Sequence, residues 1–215
     1  MGSINDNSIH HPLGKKLKWN KKMLKRLYKR FIHFITALIA AIFVLYCTIC
    51  IVYPLEHYEL IEKYSEEYGL DPAMVCALIQ AESGFNADAT SAKGAKGLMQ
   101  LMDETASWIA PQIPIENFNV FRIKEPELNI QLGCWYLGYL NERFDGDLTL
   151  MVAAYNAGSG NIDKWLEDEN YSSDGKTLDR IPYTETKKYV TKIKINQYVY
   201  RLLLKVKFYE HETIF

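Results

Sequence analysis

Apolar positions along this chain fall into one long unbroken run followed by a series of shorter stretches at helical spacing. Phe31 to Tyr53 is 23 residues without Asp, Glu, Lys or Arg, interrupted only by His33, Thr36 and Thr48. A helix rises about 1.5 Å per residue, so about 20 apolar residues cross the hydrocarbon core of a bilayer. Beyond Pro54 the pattern changes to a periodicity of three and four. Tyr58 to Tyr68 predicts a helix that stops at Gly69. Asp71 then supplies an N-cap oxygen, Pro72 suits a first helical position, and Met74, Val75, Leu78 and Ile79 form an apolar face that ends near Glu82-Ser83-Gly84. A loop rich in small residues, 86 to 96, leads into a predicted helical stretch from Gly97 to Ile109, interrupted by Pro111 and Pro114. Further helices are expected over Glu127 to Phe144, over Leu148 to Asn156 behind an Asp147 cap and before Gly158, and over Glu185 to Tyr209. Residues 167 to 179 are polar and predict an exposed loop. No stretch alternates convincingly with a period of two, and no internal repeat is visible. The expected fold class is all-α, with room for a small hairpin in a loop.

Charge divides the chain at the same place as hydropathy. Residues 1 to 30 carry nine Lys or Arg against Asp6, a net of +8, whereas the residues after position 30 sum to −9. A basic segment on the N-terminal side of an apolar span predicts a cytoplasmic N-terminus by the positive-inside rule. Three segments follow: a basic cytoplasmic tail over 1 to 30, a transmembrane anchor over 31 to 53, and an outer domain over 55 to 209. A cleaved signal peptide is the alternative. Its apolar region is normally about 7 to 15 residues, and the small residues Ala37, Ala40 and Ala41 lie inside the run rather than after it, which favours an uncleaved anchor. The basic cluster beside the span suits topology and anionic lipid. With an acidic folded part it gives no support to nucleic-acid binding.

Cysteine and histidine usage adds little chemistry. Cys47 and Cys50 fall within the span, outside the usual context of a C-x-x-C metal or redox motif. Cys76 and Cys134 sit among apolar helix positions and read as buried thiols rather than a disulfide. His57 and His211 are isolated, so no zinc spacing is present and no metal or cofactor is expected.

The chemistry is carried by Glu82-Ser83, by Gly97-Leu98-Met99-Gln100, by Ala154-Tyr155-Asn156-Ala157-Gly158, and by Ile181-Pro182-Tyr183 with Glu185 and Tyr189-Val190. Glycoside cleavage needs a proton delivered to a poor leaving oxygen and support for an oxocarbenium-like centre. A carboxyl whose pKa is raised by burial does the first. Glu82 follows the apolar run Val75 to Ala81 and so emerges at the inner edge of a core helix. As a plain helix-terminal glutamate it would be disfavoured by the helix dipole, by about 0.3 to 1 kcal/mol.

In order and spacing these motifs resemble the SLT family of lytic transglycosylases, enzymes with a lysozyme-like fold of the goose type that cleave peptidoglycan glycan strands. The resemblance covers about residues 60 to 205. It implies Glu82 as the single catalytic acid and base. It implies Ser91, Gly97, Gln100 and Met102 near the acid and along the sugar cleft, with the Tyr155 hydroxyl near the catalytic carboxyl beside Asn156. Glu185 and Tyr189 would contact the saccharide. No second catalytic carboxylate is required, and Asp88 and Asp103 match no catalytic position. The implied reaction breaks the bond between N-acetylmuramic acid and N-acetylglucosamine with closure of a 1,6-anhydro ring, and needs no cofactor. A muramidase of the same fold and a non-catalytic wall-binding scaffold are the competing expectations.

Overall fold

A computed structural model of the chain describes residues 20–115 and 117–212, with side chains through Val206. The chain divides into two compact units at Val52 and Tyr53. The first holds one helix, α1 (Lys21–Val52), which is long and apolar enough to cross a membrane and buries none of its apolar window. The helix begins ten residues before the apolar run and takes in Lys21 to Arg30, because lysine, arginine and leucine are good helix formers.

The second unit is built from α2 (Tyr58–Glu67), α3 (Pro72–Glu82), α4 (Asp103–Ile109), α5 (Pro126–Arg143), α6 (Leu148–Ala157), α7 (Ser159–Leu166) and α8 (Thr184–Glu212). Short 3-10 turns at Ala110–Gln112 and Val120–Arg122 join α4 to α5. Among the described residues there are no strands, only isolated bridges pairing Lys96 with Thr90 and with Leu101. The all-α expectation holds.

The centre of this unit is α3. Every residue from Ala73 to Ile79 is buried, so the helix is apolar all round and is wrapped by α2 and α8 rather than lying on a surface. Its start is fixed by Asp71, whose carboxylate accepts a 2.9 Å hydrogen bond from the Ala73 N–H. Such a cap contributes about 1 kcal/mol. The same carboxylate accepts from Gln197 Nε2 at 2.9 Å and pairs with Arg201 at 2.7 Å, which ties the head of α3 to α8. The main apolar cluster runs from Tyr58 to Leu204. A smaller one gathers Leu101, Ala106, Ile109, Ile113, Ile123, Leu128 and Leu132 around α4 and α5. Both lie entirely within residues 53–215, so the second unit carries its own core.

Two expectations need correction. Residues 97 to 102 are not helical: Gly97 has φ +78° and Gln100 φ +50°, so the chain turns there and α4 starts only at Asp103. The segment 167 to 179 is irregular, as expected, but Ser172 within it is buried. One helix, α7, was not anticipated. Cys76 and Cys134 are both buried thiols without a disulfide, and burial pushes the Cys134 thiol up.

Candidate active site

Glu82 is the last residue of α3, and its position follows from the helix it ends. The residues before it are held in the core, and the chain then leaves through Gly84 and Phe85, both at positive φ. Ser83 locks that exit. Its hydroxyl lies within hydrogen-bonding reach of the Leu98 carbonyl at 2.8 Å and the Ile79 carbonyl at 3.2 Å. The C-terminus of α3 is thereby fastened to the turn that begins at Gly97.

Glu82 is half-buried, and its main partner comes from α8. The Tyr189 hydroxyl donates to Glu82 Oε1 at 2.5 Å, a short hydrogen bond of the charge-assisted kind. Burial raises the Glu82 pKa above the ordinary glutamate value, while the Tyr189 hydrogen bond and the Lys192 ammonium act in the opposite sense without cancelling it. The carboxyl therefore holds its proton to a higher pH than an exposed glutamate. Lys192 is itself placed by a 3.0 Å hydrogen bond to the Ala81 carbonyl. Burial and the Glu82 charge push both the Tyr189 and Tyr155 phenols well up, so both remain neutral donors.

The second wall is the turn 97 to 102. Buried Asn129 of α5 holds it through three hydrogen bonds. Its Oδ1 accepts from the Met99 N–H at 2.7 Å, and its Nδ2 donates to the Lys96 carbonyl at 3.1 Å and the Ile123 carbonyl at 2.7 Å. Gly97 is required here twice over, since its φ is positive and a Cβ would collide with the Asn129 amide. Gln100 folds back on the turn, donating from Nε2 to the Gly97 carbonyl at 2.8 Å.

The expected site residues are brought together unevenly. Tyr155 of α6 senses the Glu82 charge, but its hydroxyl donates to the Met99 carbonyl at 2.8 Å. It is the Tyr189 hydroxyl that hydrogen-bonds the carboxylate, with Tyr155 close enough to feel its charge. Asn156 accepts from the Thr186 hydroxyl at 2.8 Å, joining α6 to the first turn of α8. Glu185 is exposed in that turn, four residues before Tyr189 and so on the same side of the helix. Met102 is partly exposed at the head of α4. Ser91 is exposed and closes its own turn, its Oγ accepting from the Ala95 N–H at 3.0 Å.

Asn129, Lys192 and Thr186 were not anticipated. Asn129 had a weak signal, as one of two amides, with Gln131, interrupting the apolar run Leu128 to Leu132. Lys192 had none, being one basic residue among several on α8. Among the described residues no group of three or more His, Cys, Asp or Glu could hold a metal ion.

Comparison with known proteins matches the same part of the chain. The family model for the Transglycosylase SLT domain matches residues 59–178. The soluble lytic murein transglycosylase of Salmonella typhimurium is 31% identical over 151 residues, covering 69% of this chain and 23% of that protein. The membrane-bound lytic murein transglycosylase C of Edwardsiella ictaluri is 28% identical over 174 residues, covering 68% of this chain and 46% of that protein. Among solved structures, an inactive Glu-to-Gln mutant of the lytic transglycosylase Slt from Pseudomonas aeruginosa superposes with a TM-score of 0.66 at 31% identity, over 73% of this chain and 26% of that one. The chain thus spans less than half the length of these relatives. The matched segment covers more than half of the chain and includes both the helix that ends in Glu82 and the helix that carries Tyr155, and the protein belongs to the transglycosylase SLT family.

Proposed function

We propose that this protein is a lytic transglycosylase that cleaves the β-1,4 bond between N-acetylmuramic acid and N-acetylglucosamine in peptidoglycan glycan strands. One observation carries the proposal: a half-buried carboxyl, raised in pKa by burial and gripped by the Tyr189 hydroxyl, at the end of the core helix. Such a group holds its proton to higher pH than an exposed glutamate, and so can serve as a proton donor and later as a base.

The reaction proceeds in two halves. Protonated Glu82 gives its proton to the glycosidic oxygen as the bond from the muramyl C1 to that oxygen breaks and its electron pair moves to the leaving sugar. The carbonyl oxygen of the substrate's own N-acetyl group attacks C1 and carries the positive charge as an oxazolinium ring. Glu82, now a carboxylate, accepts the proton of the muramyl C6 hydroxyl while that oxygen attacks C1. The oxazolinium opens and the anhydro ring closes. Tyr189 follows the charge on Glu82, its hydrogen bond strengthening when the carboxylate forms and weakening when the proton returns. Asn129 and Ser83 act as positioning residues by holding the turn 97 to 102 against the acid. Gln100, Met102, Asn156 and Glu185 line the path of the strand, with Gly97 and Ser91 shaping its loop.

The helix Lys21–Val52 crosses the cytoplasmic membrane with residues 1 to 30 inside, and residues 55 to 209 face the wall. The relative from Edwardsiella ictaluri that is named membrane-bound supports an anchored form.

Cleavage of purified peptidoglycan in ¹⁸O-labelled water tests the reaction type. Anhydro ends that carry no label are expected. Labelled reducing ends would mean that water is the acceptor and the protein is a muramidase, and intact strands with bound protein would mean a scaffold module.

A further inference from the structure

The helix α8 presents two unlike faces. Ile193, Asn196, Gln197, Tyr200 and Leu204 are buried against the rest of the domain. On the opposite face Ile195, Tyr198, Leu202 and Val206 are 57%, 66%, 47% and 58% exposed, at a spacing that aligns them along one side of the helix. From Thr186 to Tyr209 the sequence holds seven Lys or Arg and no Asp or Glu, in a chain whose residues after position 30 sum to −9. Some of these cations are engaged: Arg201 pairs with Asp71, Lys194 donates to Thr149 and Lys192 to the Ala81 carbonyl. Lys187, Lys188 and Lys205 are exposed along the margins of the apolar stripe.

A second observation places the start of the folded unit beside the buried side of the same helix. Tyr53, the residue that follows the end of α1, packs edge-on against Tyr200 of α8 with ring centroids 5.5 Å apart. Its hydroxyl donates to Asn196 at 3.5 Å, and the Tyr200 hydroxyl donates to the Pro54 carbonyl at 3.1 Å. Residues 53 and 54, the first of this unit and next in sequence to α1, are therefore bonded to α8.

We infer that the outer face of α8 is a membrane-surface docking site, with Ile195, Tyr198, Leu202 and Val206 in the head-group layer of an anionic bilayer and Lys187, Lys188 and Lys205 on its phosphates. This rests on the reading of α1 as a membrane span. An apolar stripe with basic margins is the arrangement that binds anionic lipid surfaces, and tyrosine favours the interface. A second copy of the chain is a poorer occupant, because joining two such faces would set lysines against lysines. Since Tyr189 lies on the side of α8 turned towards α3, docking would leave Glu82 directed away from the lipid, towards the wall.

The test uses residues 53–215, which hold the whole of both apolar clusters. Sedimentation is measured with vesicles of phosphatidylcholine alone and of phosphatidylcholine mixed with phosphatidylglycerol. Binding to the mixed vesicles that weakens with salt is expected, falling about tenfold or more in the double variant Ile195→Glu and Leu202→Glu. The triple variant of Lys187, Lys188 and Lys205 to Gln should lose the preference for anionic lipid. Thermal melts of both variants check that the fold is kept. Wild type that ignores anionic vesicles, equal binding by the variants, or a solution dimer broken by the same substitutions would each overturn the inference. Peptidoglycan cleavage by the same samples is read separately. Vesicle binding without cleavage removes the proposed reaction and keeps the docking face; cleavage without vesicle binding does the reverse.

Discussion

Glu82 is costly to the fold in its charged form, and that cost has a definite pH dependence. Its folded pKa lies above the value of 4.5 it would have in an unfolded chain. Between those two values the native state binds the extra proton, so stability falls as pH rises through that window and levels off above the folded pKa. Replacement by glutamine keeps an acceptor for Tyr189 and removes the charge. The melting temperature of Glu82→Gln should match the wild type below pH 4.5 and exceed it increasingly as pH rises through that window, the gap then holding steady above the folded pKa. A gap that is constant with pH, or of opposite sign, would show that burial does not raise this group. Tyr189→Phe probes the same carboxyl from the other side. The lost hydrogen bond favoured the ionised form, so the basic limb of the pH–rate profile should move to higher pH. A limb that stays in place would leave Tyr189 as packing alone.

The elements show why the turn before α4 matters as much as the helix that ends in Glu82. Asn129 satisfies one N–H and two carbonyls of two separate segments, the turn at 96 to 99 and the stretch at Ile123. Asn129→Leu leaves the Met99 N–H unpaired and should cost about 3 kcal/mol in urea unfolding. Gly97→Ala combines a positive φ with a collision against the same amide and should cost about 2 kcal/mol. A loss under half of either value would mean that the turn is not built on this contact. Helices with local punctuation were legible in the sequence: Asp71 with Pro72, and Asp147 before the apolar run of α6, cap their helices through their side chains. The helix α7 was not legible, because it begins at Ser159-Gly160, two poor helix formers directly after a glycine stop. It owes its place to Ile162 and to Trp165, whose ring meets Tyr183 edge-on at 4.9 Å. Residues 97 to 109 read as helix because the periodicity of α4 extends backwards in sequence, while the contact that forbids it comes from Asn129, 32 residues beyond Gly97.

At the scale of the molecule, the chain combines an apolar helix near its N-terminus with a helical domain of the SLT family. The site joins three distant stretches: the end of α3, the turn and α5, and the start of α8. Motif order singles out Glu82, Tyr155 and Tyr189 together, and the structure adds that it is Tyr189 whose hydroxyl bonds the acid. That contact depends on how α8 lies across α3, a long-range packing outcome that no local spacing encodes. The proposed mechanism makes one demand of the whole assembly, that a single carboxyl accounts for strand cleavage. The most direct measurement is mass spectrometry of soluble fragments released from purified peptidoglycan by the full chain in detergent, with Glu82→Gln in parallel. The account predicts fragments lighter than hydrolysis products by about one water per cut, and a fall in release of about a thousandfold in the variant with its melt intact. Undiminished release by folded Glu82→Gln would contradict it.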